Sequence, residues 1–411
     1  MTAPLDSYTV ASGRGIYGGM AEPEIKEPAD VLAFDAEPTF VDMGTGVISN
    51  NATYNGRVMV FNLHGSGGQN YTTGRQYRAP VSGRLAFEDQ TEFGFSITGL
   101  QTAGSSTYFP TMRPIDEYVK ASMGNKEFES RHLGLLLADG FVHLTTENRY
   151  DALLDWMDAN LQQYNQSRRV AWGGSMGAWG VVTYCLRRPT RFAAVYSDRP
   201  RFRYGFDWGN SVVTDWSSAS AAHGWVDVPY NSAPQIAPED GGGSSAVYGD
   251  MIAHVGNPNN KIPWLGCCLG RNDGYGEFQD LVDFVAACRA TGRGFACYWN
   301  DGDHSTGSQM ARITQSYPIG TFKIGEGYPL FTEHSLDQDP AVDLVGGINI
   351  GLSFKNVVET ANGWACEVTN VTAACTVKVK PISDVFAANV PAKLVTIPAA
   401  NTWVYVEFSA V

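Results

Sequence analysis

The stretch "RRVAWGGSMGAWGVVTYCLRR" (168–188) joins two periodicities with no linker between them. Val170, Ala171 and Trp172 make a short apolar run of the kind that forms a buried strand. From Ala178 onward the apolar residues follow a helical pattern. That pattern stops before Pro189, because a residue preceding proline is pushed out of the helical region. Residues Gly173 to Gly177 must therefore turn the chain from strand to helix in very little length. A turn that tight needs glycine wherever a Cβ would clash.

The turn reads Gly173-Gly174-Ser175-Met176-Gly177, a G-x-S-x-G pattern. With 27 serines and 45 glycines in the chain, shuffling alone would produce that pattern about 0.3 times. The strand before it and the helix after it carry the inference, and they make Ser175 a candidate nucleophile. The helix N-terminus offers unpaired N–H groups and a positive dipole end. The N–H of Met176 is then a candidate oxyanion donor.

A serine hydroxyl needs a positioned base. Of the seven histidines, His304 lies in "YWNDGDHSTG", a Gly/Asp-rich loop just after a late apolar strand. His64, His132, His143, His223, His254 and His334 lack that setting and read as structural or surface residues. The base in turn needs a carboxylate to hold its tautomer. Asp273 follows the apolar run "WLGCCLGRN". Its rivals Glu277 and Asp280 open the next helix, where an acid suits the dipole without catalysing anything. Asp301 and Asp303 read as residues that shape the histidine loop. The order Ser175, Asp273, His304 is that of α/β-hydrolases. "LHGSGGQN" (63–70) follows an early strand, and there the backbone of Ser66 or Gly67 is the candidate second oxyanion donor.

The rest of the chain fits around these residues. Residues 1–56 are rich in Gly, Pro and Ala, with "DVLAF" and "PTFVDMG" as short apolar pieces expected to pack on the core formed by residues 57–325. Strand patterns at 57–65, 94–98, 192–197, 264–270 and 294–300 alternate with helix patterns at 145–165 and 278–292. This alternation predicts a mainly parallel sheet wrapped by helices over residues 57–325. Residues 199–260 break the rhythm and read as an inserted lid or substrate wall. Tyr204, Trp208, Trp216, Trp225, Tyr230 and Tyr248 lie there, able to stack on sugar rings or aromatic acyl groups, or simply to pack the insertion. "RPRFRYG" (199–205) brings three arginines that either bind an acidic substrate or pair with acids of the insertion. Residues 326–411 hold only short, often alternating strands and are expected to form a β-sandwich accessory domain, for glycan binding, oligomerisation or attachment.

Composition bounds the partners. Hydrophobic residues at 44% and aromatics at 12% support a sizeable core. Charged residues at 17% fall below the roughly 25% usual for soluble domains, a style more common in secreted or particle-surface proteins. This favours an extracellular or virion-associated setting over the cytoplasm, although the first residues lack the features of a signal peptide. No Lys/Arg stripe accompanies the net charge of −13, which argues against nucleic acid as a partner. No run of 18 apolar residues suggests a membrane span. The seven cysteines show no metal-ligand spacing, and no metal or cofactor is expected. Cys366 and Cys375 flank an expected hairpin turn, "CEVTNVTAAC", as either a disulfide or two unpaired strand residues.

Four blocks, "LHGSGG", "GGSMGAWG" leading to "RRPTRFAAVYS", "GRNDGYGEFQ" and "WNDGDH", occur in order. Together they make residues 57–310 resemble α/β-hydrolases, in the esterase branch of feruloyl esterases, polyhydroxybutyrate depolymerases and prolyl-oligopeptidase-like hydrolases. One departure is Gly177-Ala178 where that group has two glycines. The resemblance implies a triad of Ser175, Asp273 and His304, with Met176 and the 65–67 backbone as oxyanion hole. It implies a serine carboxylic-ester hydrolase, with carbohydrate-linked esters (O-acetyl or hydroxycinnamoyl polysaccharide) as the expected substrate. A polyester depolymerase and a peptidase are the alternatives with the same chemistry. A particle-surface binding or structural protein that uses the fold as a scaffold is the alternative of another class.

Overall fold

The computed structural model describes residues 164–203, 241–274, 277–383, 385–386 and 390–409, together with residues 235, 236 and 238 and shorter pieces before residue 164. The chain divides into two compact units. One comprises Met1–Gln166, Trp172–Tyr184 and Phe202–Met251, and the other Ser167–Ala171, Cys185–Arg201 and Ile252–Val411.

Strands are numbered along the chain. The first unit contains β1 (Phe40–Val41), β2 (Arg57–Leu63), β3 (Glu92–Phe95), β4 (Leu135–Leu136) and β5 (Phe141–His143). β2 runs parallel to β3, with Val58 opposite Glu92, and β1 pairs antiparallel with β3. Residues 147, 151, 154, 155 and 158 are helical, within the expected 145–165 pattern. β6 (Tyr164–Gly174) leads into the serine turn and the helix Met176–Leu186. It starts ahead of the apolar run because main-chain bonds hold its polar end: Ser167 O accepts from Ile324 N at 2.7 Å and Arg169 O from Ala193 N at 2.8 Å.

β7 (Ala194–Asp198) comes next, in the second unit, and β8 (Gln235–Ile236) pairs with β5 in the first. The sequence between 199 and 260 contains no clear helix pattern, yet its last part forms the helices Ser245–Gly249 and Met251–Gly256.

In the second unit β7, β9 (Trp264–Gly270) and β10 (Phe295–Asn300) are parallel neighbours, with Val195 and Phe295 both opposite Leu265. β7 and β9 are buried along their whole length. This is why they read as continuous apolar runs: a parallel strand covered on both faces cannot alternate. The helix Phe278–Thr291 crosses from β9 to β10 and buries Leu281, Phe284, Val285 and Cys288, a helical stripe. Gly292 ends it in the left-handed conformation, φ 64°, and Arg293 N donates back to Cys288 O at 2.9 Å. The helix Met310–Ser316 packs on β7, β9 and β10.

The remaining strands are β11 (Tyr328–Thr332), β12 (Gly346–Ile348), β13 (Leu352–Thr360), β14 (Gly363–Asn370), β15 (Cys375–Ile382), β16 (Lys393–Ile397) and β17 (Val404–Ser409). β12 adds antiparallel to β10 and makes the parallel sheet a mixed one. The others form two three-stranded antiparallel sheets, β11-β15-β16 and β13-β14-β17. Alternating burial along β15 explains the period-two pattern of "CTVKVKPI". An aromatic cluster joins these strands to the mixed sheet. Trp264 of β9 stacks on Phe322 at 4.4 Å, and Phe322 meets Phe354 of β13 edge-on at 5.3 Å.

The expected hairpin around "CEVTNVTAAC" is absent. Cys366 lies on β14, which pairs with β13 and β17, whereas Cys375 opens β15, which pairs with β11 and β16. The two side chains belong to different sheets, and all seven cysteines are buried free thiols.

Candidate active site

The serine turn is fixed by its own neighbours. Val170 and Ala171 are fully buried and Trp172 nearly so, which anchors the end of β6. A Cβ on Gly173 would lie 2.2 Å from Gly177 O and 2.8 Å from Ala178 N. Both obstacles are backbone, so only glycine fits. Ser175 then takes φ 56°, the left-handed region. For a residue with a side chain this costs about 1–2 kcal/mol. Such strain persists where the surroundings over-determine it, as they do at many catalytic turns. Ser175 O accepts from Ala178 N at 2.9 Å and Trp179 N at 3.2 Å, so the same residue opens the helix Met176–Leu186. That helix is buried from Gly177 to Leu186. Met176 supplies its first N–H group.

Asp273 and His304 are brought together by two loops at the C-terminal ends of β9 and β10. His304 Nδ1 lies 2.8 Å from both Oδ1 and Oδ2 of Asp273. A carboxylate can only accept here, so Nδ1 donates and Nε2 is left to accept a proton. The Asp273 side chain is 1% exposed and that of His304 is 23% exposed, so the acid is sheltered and the imidazole is accessible.

Main-chain bonds stitch the loops. Arg271 N donates to Asn300 O at 2.8 Å and Asn272 N to Gly302 O at 3.0 Å, while Asn272 Nδ2 reaches Asp301 O at 2.5 Å. A Cβ on Gly270 would meet Gly302 O at 2.2 Å, so the loops meet this closely only because position 270 is glycine. Asp303 shapes the histidine loop, as expected of it. Its Oδ1 accepts from Ser305 N, Thr306 N and Thr306 Oγ1, each at 2.9 Å. The Thr306 N–H and hydroxyl bonds, then that of Ser305, hold this carboxyl below its ordinary range.

Ser66, Gly67, Tyr204, Trp208, Trp216, Trp225 and Tyr230 lie outside the described residues. Tyr248 has its hydroxyl committed to the buried Glu147, 2.6 Å away. Of the three arginines at 199–205, Arg203 pairs with Asp250 at 3.9 Å and Arg199 with Asp198 at 3.2 Å. Cysteine is no rival nucleophile. Burial pushes the thiols of Cys267, Cys268 and Cys288 well up, so they stay protonated at neutral pH. Among the described residues no group of three or more His, Cys, Asp or Glu side chains is placed to hold a metal ion.

Residues 142–237 match the family described as "Putative esterase", a segment that includes Ser175. No curated protein matches the chain. Among solved structures, an S-formylglutathione hydrolase from Agrobacterium tumefaciens is similar over 64% of this chain and 82% of its own, at 16% identity and TM-score 0.36. An esterase from Pyrococcus furiosus is similar over 64% and 77%, at 14% identity and TM-score 0.35. The acylaminoacyl peptidase of Pyrococcus horikoshii is similar over 64% of this chain, at 12% identity and TM-score 0.37, but this chain spans only 35% of that longer protein. The family match covers Ser175 but neither Asp273 nor His304.

Proposed function

We propose that this protein is a serine hydrolase that cleaves carboxylic esters through an acyl-enzyme, with Ser175 as nucleophile, His304 as general base and Asp273 as the group that orients the imidazole. The observation that carries the reading is the left-handed Ser175 between a buried strand and a buried helix. Strained backbone of this kind clusters at active sites.

In the proposed reaction His304 Nε2 takes the Ser175 proton as Oγ attacks the ester carbonyl. The tetrahedral oxyanion is held by the Met176 N–H and by main-chain N–H from Ser66 or Gly67. His304 returns the proton to the departing alkoxide, leaving an acyl-Ser175. Water, deprotonated by the same imidazole, then releases the acid and restores the serine. Asp273 stays ionised and stabilises the imidazolium that forms twice per turnover.

The substrate we propose is a carbohydrate-linked ester, O-acetyl or hydroxycinnamoyl. The aromatic content of residues 199–260 and the esterase blocks of the sequence support it. Under this reading residues 57–325 are the catalytic domain, 199–260 its substrate wall and 326–411 a carbohydrate-facing accessory region. A fluorophosphonate probe that labels the wild type but not Ser175→Ala is the expected result for the nucleophile. Acetylated and feruloylated polysaccharides should release acid. No release from either, with good turnover of short peptides, would replace the esterase reading with a peptidase.

A further inference from the structure

We infer that Arg199, together with Asp198, is a positioning residue for His304: it grips the histidine loop at the His304 backbone carbonyl and so fixes where the imidazole points. The inference rests on the reading of His304 as the general base.

Asp198 ends β7 and Arg199 comes directly after it with φ 65°, in the left-handed region. A long side chain is rarely found there, and the conformation costs about 1–2 kcal/mol. Several bonds hold it. Arg199 N donates to Cys268 O at 2.7 Å, which ties the turn to the end of β9. Arg199 Nη1 donates to the backbone carbonyl of His304 itself. Nη2 reaches Asp198 Oδ2 at 3.2 Å, and the same oxygen accepts from Ser308 Oγ at 2.7 Å. Asp198 Oδ1 accepts from Cys268 Sγ at 3.1 Å, and that sulfur accepts from Gln309 N at 3.3 Å. The loop is thus held at 304 and again at 308–309, while the imidazole Nδ1 is held by Asp273.

These grips do different work. Asp273 fixes one ring nitrogen, and bonds such as Asn272 N to Gly302 O and Gly307 N to Asp303 O shape the loop around it. Arg199 adds a bond at the His304 carbonyl itself, and Ser308 ties the following residues to Asp198. The pair is largely sheltered, with side-chain exposures of 19% for Arg199 and 11% for Asp198, so solvent screens it less than a surface pair. A planar guanidinium can bond a carbonyl and a carboxylate at once in a fixed geometry, which an ammonium cannot.

Arg199→Gly tests this directly, because glycine relieves the left-handed strain while it removes the grip. With p-nitrophenyl acetate as the probe substrate, kcat should fall roughly 10- to 100-fold, the scale of a misplaced base, with KM and the thermal midpoint little changed. Arg199→Lys should recover part of the loss. Ser308→Ala, which removes one hydroxyl and keeps the fold, should cost a few-fold in kcat. The double variant Arg199→Gly/His304→Ala should be no slower than His304→Ala alone, because a group acting only through His304 has nothing further to lose. Additive losses would overturn the proposal. The imidazole 15N spectrum gives a readout that needs no turnover: one Nδ1–H tautomer in the wild type, and tautomer exchange in Arg199→Gly. An unchanged spectrum overturns the proposal whatever the activity. If the spectrum responds but Ser175→Ala keeps full activity, the grip on His304 stands and the general-base reading falls.

Discussion

Ser175 takes its backbone angle from residues 173–179, whereas His304 is held by residues as far back as 198 and as far forward as 308. The serine turn is a local device: one glycine that admits a close backbone approach, one strained φ, and a buried helix that resists relaxation. The aspartate–histidine pair is a long-range device, made from two loops that meet through hydrogen bonds. A local device fails by steric conflict and tolerates no change at its glycine. A long-range device fails by losing register, and can lose function while the fold survives.

The largest effect should come from the residue the local device serves. Ser175→Ala should lower kcat/KM by roughly 10⁴- to 10⁶-fold, checked by steady-state kinetics. Ser175→Gly should be equally inactive yet more stable, by up to about 1 kcal/mol, since glycine accepts the left-handed angle. A loss of stability in Ser175→Gly would mean that the φ of 56° is not strain held by the turn. Next comes Asp273→Asn, expected to cost on the order of 10⁴-fold in kcat through the wrong imidazole tautomer, with a urea midpoint close to that of the wild type. A collapse of stability there would undo the contrast, because the carboxylate would then be holding the loops rather than the ring.

Two glycines probe the contrast more finely. Gly173 and Gly270 each face a carbonyl oxygen 2.2 Å from where a Cβ would stand. Gly173→Ala should destabilise by about 3 kcal/mol, because its obstacle is a buried helix start that cannot retreat. Gly270→Ala should cost about 1–2 kcal/mol, because the 302 loop can give way, and should lose activity out of proportion. Equal costs in urea titrations would erase the distinction.

The smallest effect concerns Asp303. Its carboxyl sits below the ordinary range in the folded protein, so its bonds contribute above the unfolded value near 3.9 and are lost as the pH falls through the lower, folded value. The protection factors of the Ser305 and Thr306 amides, taken against their intrinsic exchange rates, should therefore be unchanged from pH 8 to 5 and fall only below about pH 4. Loosening near pH 6 would point to another group.

The same contrast explains what the sequence made legible. The elbow at Ser175 could be read because strand, turn glycines and helix are contiguous. Asp273 and His304 could be read because each comes after a buried strand, in a fixed order. The parallel strands announced themselves as unbroken apolar runs. Arg199 could not be read as a grip on His304. Its partner His304 lies 105 residues away, Ser308 lies 110 residues from Asp198, and the role depends on a backbone angle that no residue type signals. The hairpin at 366–375 was misleading for a related reason. A short turn between two strands is visible locally, but which sheet each strand joins is decided by partners such as β17 and β11, far along the chain. Tyr248 likewise gave no local sign that its hydroxyl bonds Glu147, 101 residues away.

The seven buried thiols form a set of timers distributed over the fold. Cys185 sits in the helix after the serine, Cys267 and Cys268 on β9, Cys288 in the helix after that strand, Cys297 on β10, and Cys366 and Cys375 on the two C-terminal sheets. An alkylating reagent can reach each one only when its own element opens. The rate at which each position is modified in native buffer therefore ranks the elements by their opening free energy. No foreign label needs to be introduced.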